Sequence, residues 1–148
     1  MNKDMKMNIR EAQPGDLNSI RRLLEENQLP IEDVTDALLD DFLVAVGPDL
    51  VGVVGLERFE SHALLRSLVV ARDDRSRGLG QELIKKMERT ARAKGVASLW
   101  LLTTTAKVFF QNAGYTTVPR DETPAVVQGS REFAELCPAS AVCMCKHL

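Results

Sequence analysis

Apolar positions recur along the chain with two periods, and the period changes in a definite order. Residues 8–12 predict a short strand. Pro14-Gly15-Asp16 follows as a turn and N-cap, with Ser19 standing where a capping box would carry Glu. Leu17, Ile20, Leu23 and Leu24 fall at helical spacing and predict a helix to about Gln28. Leu29-Pro30 breaks it. Residues 31–41 predict a second, shorter helix with Val34, Leu38 and Ala37 facing inward. Residues 42–46 read as a buried strand and Gly47-Pro48-Asp49 as a hairpin turn. Residues 50–59 form the returning strand, loosened by Gly52 and Gly55. Glu60-Ser61-His62 turns again into a strand over 63–71.

At Gly78 the pattern becomes helical. Leu79, Leu83, Ile84, Met87 and Ala91 share one face of a helix over 78–94, and Gly95 ends it as a C-cap. Residues 97–102 predict a strand that returns beside 63–71. A strand, a crossover helix and a strand place those two parallel. A short helix over 105–113 stops at Gly114. A strand over 115–118, a helix over 124–136 and a strand over 141–146 complete the chain. The expected fold is α/β (or α+β), one domain over 1–148, with a mixed sheet of about seven strands and helices on both faces.

Composition narrows the function classes. The 148 residues are 45% hydrophobic and 27% charged, an ordinary globular balance that excludes collagen, coiled coil and wholesale disorder. No apolar run approaches the roughly 18 residues that span a bilayer, and the polar start predicts no signal peptide. With a net charge of −2, neither nucleic acid nor a membrane surface is expected as a partner. The charge is uneven, however. Between Arg72 and Lys94 eight basic residues stand against four acidic ones. That suits a small anionic ligand, or a solvated helix face. Cys137, Cys143 and Cys145 are an odd set without a secretory signal, so a reducing, cytoplasmic setting is expected. Their spacing matches no common zinc pattern, and no metal is expected.

The informative segment is Leu68-Val69-Val70-Ala71-Arg72-Asp73-Asp74-Arg75-Ser76-Arg77-Gly78-Leu79-Gly80-Gln81. A buried strand enters a polar loop, and two glycines open a long helix. Helix N-termini present unpaired N–H groups and a positive dipole end, and glycines let a phosphate approach that backbone. The segment lacks the Gly-Lys-Ser/Thr of a Walker A loop. Ile84 lies near where the third glycine of a dinucleotide fingerprint would be.

Arg75-x-x-Gly78-x-Gly80 between strand and helix resembles the acyl-CoA diphosphate loop of GNAT-type N-acetyltransferases, Arg/Gln-x-x-Gly-x-Gly/Ala. The resemblance extends over nearly the whole chain and includes Phe109-Phe110-Gln111-Asn112-Ala113-Gly114-Tyr115, similar to the family's F-Y-x-x-x-G-F segment. It implies acetyl-CoA as cosubstrate and a sheet splayed between its fourth and fifth strands, at Leu68 and Leu99. In that arrangement the strand Leu68-Val69-Val70 pairs with the pantetheine arm through backbone groups of Leu68 and Val70. Amides of Arg75, Ser76, Arg77, Gly78, Leu79, Gly80 and Gln81 hold the diphosphate, and Phe110 and Asn112 lie toward the far side of the cofactor.

Acetyl transfer to an amine needs a neutral amine, a stabilised oxyanion and a proton for the leaving thiolate. Glu57 is the candidate base by position; the other reading is a solvated strand-end carboxylate. The backbone N–H of Leu68 is a candidate for the oxyanion. Where the family often carries a Tyr as proton donor this chain has Phe110. Tyr115 or a water takes the role, or the thiolate leaves unassisted, since a thiol pKa is only about 8.5. Arg66 and Ser67 interrupt an apolar strand. Arg66 either reaches solvent or faces a polar acceptor site, where its planar fork would suit an acid group.

Leu101-Leu102-Thr103-Thr104-Thr105-Ala106 resembles a segment of N-acetylglutamate synthase domains and places Thr103 with Arg66 and Ser67 as acceptor-binding candidates. The tail, Glu132-Phe133 with Cys137-Pro138-Ala139-Ser140-Ala141, resembles the arsenic-resistance N-acetyltransferases more closely. That likeness implies a small amine acceptor, acidic and amino-acid-like, such as an organoarsenical glutamate mimic. Glutamate or another amino acid is the alternative, and a catalytically weak acyl-CoA-binding module is a second. Cys137 and Cys143 read either as soft ligands for trivalent arsenic or as small core residues. An exposed final strand would offer a surface for a homodimer.

Overall fold

The computed structural model describes residues 8–75 and 77–148. Seven strands run in the order β1-β2-β3-β4-β5-β7-β6. They are β1 (Asn8–Glu11), β2 (Leu43–Val46), β3 (Leu50–Phe59), β4 (His62–Val70), β5 (Ser98–Thr103), β6 (Thr116–Thr117) and β7 (Val142–His147). Among the described residues four α-helices accompany them: α1 (Leu17–Glu26), α2 (Leu79–Ala93), α3 (Lys107–Asn112) and α4 (Ala125–Gln128). Contacts group the chain into two units. One takes the residues up to Gly55 with Ser67–Met87, the other Leu56–Arg66 with Glu88–Leu148.

In the first unit β1, β2 and β3 pair antiparallel, with Ile9 opposite Ala45 and Leu43 opposite Val54. The β2–β3 register slips between Ala45 and Val46, at the predicted turn. Ile20, Leu23 and Leu24 of α1 are buried with Val34, Leu39, Phe42, Val44, Val53 and Val69. Gly55 is a packing requirement rather than a loose point, because a Cβ there would overlap the Phe42 ring. Asp16 also acts differently from expectation. Its carboxylate does not cap α1; it accepts the Gln13 N–H at 2.8 Å and the Arg10 guanidinium at 2.8 Å.

The helix expected over 31–41 is reduced to a 3-10 segment, Asp36–Asp41. Ala37 is exposed, and Leu39 is buried instead. A three-residue period stacks Leu39 above Phe42, whereas a 3.6 period would have turned Ala37 inward.

In the second unit β5 is the hub. β4 runs parallel to it, pairing His62, Ala63 and Leu64 with Ser98, Leu99 and Trp100. Leu65 and Arg66 continue β4 past the last of those pairs. β7 pairs antiparallel with the full length of β5, and β6 lies on the other edge of β7. The final strand is therefore interior, and the edge strand is the two-residue β6. This corrects the expectation of an exposed last strand. Leu64, Trp100, Val127, Phe133, Cys143 and Cys145 are buried together.

The helix expected over 124–136 is split. α4 ends before Gly129, and a π-helical turn occupies Glu132–Leu136. Glycine costs about 1 kcal/mol in a helix interior. The Ser130 hydroxyl then accepts the Phe133 N–H at 3.2 Å and starts the second segment afresh. The face expected of α2 is observed, with Leu79, Leu83, Ile84, Met87 and Ala91 all buried. Gly95, at φ 88°, closes the helix as Val96 N–H reaches the Ala91 carbonyl at 3.0 Å.

Candidate functional site

The first group of site residues lies in the first unit. β4 ends at Val70, a 3-10 turn covers Arg72–Asp74, and α2 starts at Leu79. Glu82 N–H bonds to the Gly78 carbonyl at 3.0 Å. The amides of Leu79, Gly80 and Gln81 precede that bond, at the end of the helix where N–H groups point outward. Gly78 has φ 79°, a left-handed backbone, and nothing lies within 4 Å of where its Cβ would stand. Arg77, Gly78 and Gln81 are exposed, whereas the Leu79 side chain is buried. Leu79 can therefore contribute only its backbone. Outward amides and exposed positive charge stand together at this turn, the polarity that a diphosphate requires. Ser76 lies outside the described residues.

Arg75 departs from the expected picture. Its Nε donates to the Val70 carbonyl at 2.9 Å, and its Nη2 donates to Asn27 Oδ1. The side chain ties the turn to the end of β4 and to the C-terminal end of α1. The Val70 carbonyl thereby already accepts one hydrogen bond. Val69 is buried in the α1 core, and Leu68 and Val70 are half-buried.

Just ahead of Leu68, Ser67 takes φ 59° inside β4. A left-handed non-glycine residue costs on the order of 1–2 kcal/mol. The irregularity breaks the strand's alternation, and all of residues 63–67 are buried.

The second group belongs to the second unit. Arg66 is not an open clamp for an acceptor acid, which corrects the expectation. Its side chain is 0% exposed, with Nη1 2.9 Å from Glu57 Oε1 and Nε 3.4 Å from Glu132 Oε1. A buried guanidinium demands such partners, and its fork presents separate nitrogens to two carboxylates. Glu57 is 19% exposed and Glu132 5%. Glu132 enters the sequence reading only as part of the tail likeness and not as a site residue, since a lone Glu beside Phe133 carries no spacing signal.

Tyr115 is likewise committed. Its hydroxyl donates to Glu88 Oε2 at 2.9 Å in a buried setting. Burial first, and the Glu88 charge next, push its phenol far above the ordinary range. Lys146 Nζ bonds both Glu88 oxygens at 3.1 Å and the Ala113 carbonyl at 2.9 Å. A phenol that raises its own cost of ionising and already holds an acceptor is a poor proton donor to a leaving group. The proton of the Tyr115 hydroxyl is thus held by Glu88 Oε2. Phe110 is buried edge-on against Tyr115, with ring centroids 5.5 Å apart, and Asn112 is exposed at the end of α3. Thr103 turns its hydroxyl inward to accept the Ala106 N–H at 3.0 Å. That bond shapes the β5–α3 turn.

Cys143 and Cys145 are buried free thiols, and Cys137 is half-buried. Burial raises the Cys143 thiol above its ordinary range, and burial with Cys143 beside it raises Cys145 to about 11. Both lie in the apolar cluster with Leu64 and Trp100, as the core reading describes. Among the described residues no group of three His, Cys, Asp or Glu is disposed to hold a metal ion. No helix there is long and apolar enough to cross a membrane.

The acetyltransferase (GNAT) domain family matches residues 39–117, more than half of the chain, and that stretch contains the Gly78 turn. The chain belongs to the GNAT acetyltransferase family. No curated protein shows a significant match. Among solved structures, N-acetylglutamate synthase from Neisseria gonorrhoeae, complexed with coenzyme A and N-acetyl-glutamate, is similar with a TM-score of 0.83 at 22% identity. The match covers 96% of this chain and 35% of that one, so this chain corresponds to about a third of the synthase's length. A GNAT-family acetyltransferase from Staphylococcus aureus Mu50 gives 0.74 at 18% identity, covering 96% and 99% of the two chains. The PaiA N-acetyltransferase from Thermoplasma acidophilum, in complex with coenzyme A, gives 0.73 at 17%, covering 97% and 100%. At these identities the likeness is one of fold.

Proposed function

We propose that the chain is an acetyl-CoA-dependent N-acetyltransferase of a small amine. The observation that carries this is the turn before α2, where Gly78, at φ 79° and with nothing within 4 Å of its Cβ position, opens the helix within the family-matched stretch. Those amides, with exposed Arg77, are the groups to hold the diphosphate. Bound there, acetyl-CoA supplies the thioester. Glu57 takes a proton from the substrate's ammonium, and the neutral amine so formed makes the C–N bond as the C–S bond breaks. The second proton shed by the nitrogen passes through water to the leaving thiolate, because Phe110 has no proton to give and the Tyr115 hydroxyl is held by Glu88.

The acceptor we propose is an amino acid of acidic type, with glutamate and its organoarsenical mimics foremost. Its support is sequence likeness in the Thr103-Thr104-Thr105 segment and the 132–141 tail. Arg66 lends it no support, because that side chain is held by Glu57 and Glu132. A catalytically weak acyl-CoA-binding module is the second reading, favoured by a phenyl ring at Phe110 in place of a phenol. Thiol release from acetyl-CoA across acidic, neutral and basic amines separates the readings. Saturable release with an acidic amino acid is expected. Release only with basic amines would overturn the acceptor class, and tight binding without release on any amine would establish the module.

A further inference from the structure

We infer that Arg66 and Glu132 are positioning residues that hold Glu57 in its working rotamer; this rests on the reading of Glu57 as the proton-accepting carboxylate. Three separate elements meet here. Glu57 comes from β3, Arg66 from β4, and Glu132 opens the π-helical turn Glu132–Leu136. Exposure is graded across the trio. The Arg66 side chain is wholly buried, Glu132 is 5% exposed and Glu57 is 19% exposed, so Glu57 is the end that solvent or a ligand can reach.

The geometry explains why both partners are needed. Arg66 offers Nη1 to Glu57 at 2.9 Å and Nε toward Glu132 at 3.4 Å. One carboxylate on one nitrogen would leave the guanidinium plane free to rotate. Carboxylates on two different nitrogens fix that plane, and the fixed plane fixes Glu57 Oε1. Glu57 Oε2 is then the oxygen that accepts the amine proton. Glu132 is itself anchored, since its carbonyl accepts the Cys137 N–H at 3.0 Å and its turn starts from the Ser130 cap. π-helical turns concentrate at functional sites, and this one delivers a carboxylate into a buried position where apolar packing alone would not ask for one. The trio holds two negative charges against one positive, a balance that tolerates an incoming ammonium next to Glu57.

A double-mutant cycle on steady-state acetyl transfer tests the inference, using the amine that the wild-type chain turns over. Glu57→Gln is expected to lower kcat by about 100-fold or more, the scale of a lost general base. Glu132→Gln is expected to lower kcat about tenfold, with the acetyl-CoA KM within about twofold, the split of a misplaced catalytic group. The two together are expected to be no slower than Glu57→Gln alone, because Glu132 acts through Glu57. Arg66→Lys supplies a second route. A single ammonium cannot fix two carboxylates in a plane, and its loss of kcat should likewise vanish in the Glu57→Gln background. An unchanged kcat in Glu132→Gln, or losses that multiply in the double variant, overturns the positioning role. A wild-type chain that turns over no amine overturns instead the reading of the whole site.

Discussion

Tyr115 and Glu88 are joined by a 2.9 Å hydrogen bond inside the second unit, and Lys146 closes on the same carboxylate through two 3.1 Å contacts. The phenol, the carboxylate and the ammonium satisfy one another where an unpaired charge would be costly. Gly114, at φ 98°, makes the turn that delivers Tyr115, whose N–H reaches back to the Phe110 carbonyl at 3.0 Å. Tyr115→Phe should therefore lower stability by about 1–3 kcal/mol, the worth of one hydrogen bond to a charged acceptor that Lys146 continues to hold, while kcat stays within about twofold. Urea unfolding and steady-state kinetics on the same preparation check this. A large loss of kcat at unchanged stability would return Tyr115 to the chemistry.

Gly55 faces Phe42 so closely that a methyl group would overlap the ring. Gly55→Ala should destabilise the chain by about 1–3 kcal/mol through overpacking. The double variant with Phe42→Leu should recover part of that loss by vacating the space. Equal destabilisation by Gly55→Ala in both backgrounds would contradict the steric account.

The long elements were legible because one face of each is buried. α2 shows Leu79, Leu83, Ile84, Met87 and Ala91 at helical spacing, and β3 is bounded by turn residues at both ends. The short elements were not. Residues 31–41 carry a helical pattern, but Leu39 and Phe42 pack at a spacing of three, so tertiary contact selects the tighter helix. Residues 124–136 look continuous until Ser130 provides a fresh cap. The Gly78 turn was readable because its pattern is local, in the glycines of one segment between a strand and a helix. The Arg66 trio was not, because its members lie at positions 57, 66 and 132 and meet only when the chain folds. The Tyr115–Glu88 contact was hidden for the same reason, its two members being 27 residues apart.

Cys145 gives the fold a dependence on alkaline pH. Its thiol is raised to about 11 by burial and by Cys143 nearby, against about 8.5 in an unfolded chain. A group raised on folding stabilises fully below the unfolded value, and that contribution disappears as pH rises through the folded one. Stability of the wild type should thus fall between about pH 8.5 and 11. The gap between wild type and Cys145→Ala should narrow over the same interval. Denaturant midpoints measured across that interval read the effect, and a constant gap would contradict it.

Arg75 holds the turn through the Val70 carbonyl and Asn27 rather than by charge toward a phosphate. Arg75→Lys keeps the charge but loses the two-pronged donation. Acetyl-CoA affinity should fall about three- to tenfold in the lysine variant, as in the alanine variant, for a loss of one or two hydrogen bonds. Full affinity in the lysine variant would show that charge alone matters.

Isothermal titration calorimetry with acetyl-CoA bears most directly on the turn before α2. The expected result is saturable heat with a dissociation constant in the micromolar range usual for a cosubstrate, weakened about tenfold or more in Gly78→Val, whose side chain would strain the φ 79° backbone and crowd the approach. Absence of heat up to millimolar acetyl-CoA, or an unaltered affinity in Gly78→Val, would contradict diphosphate binding at this helix end.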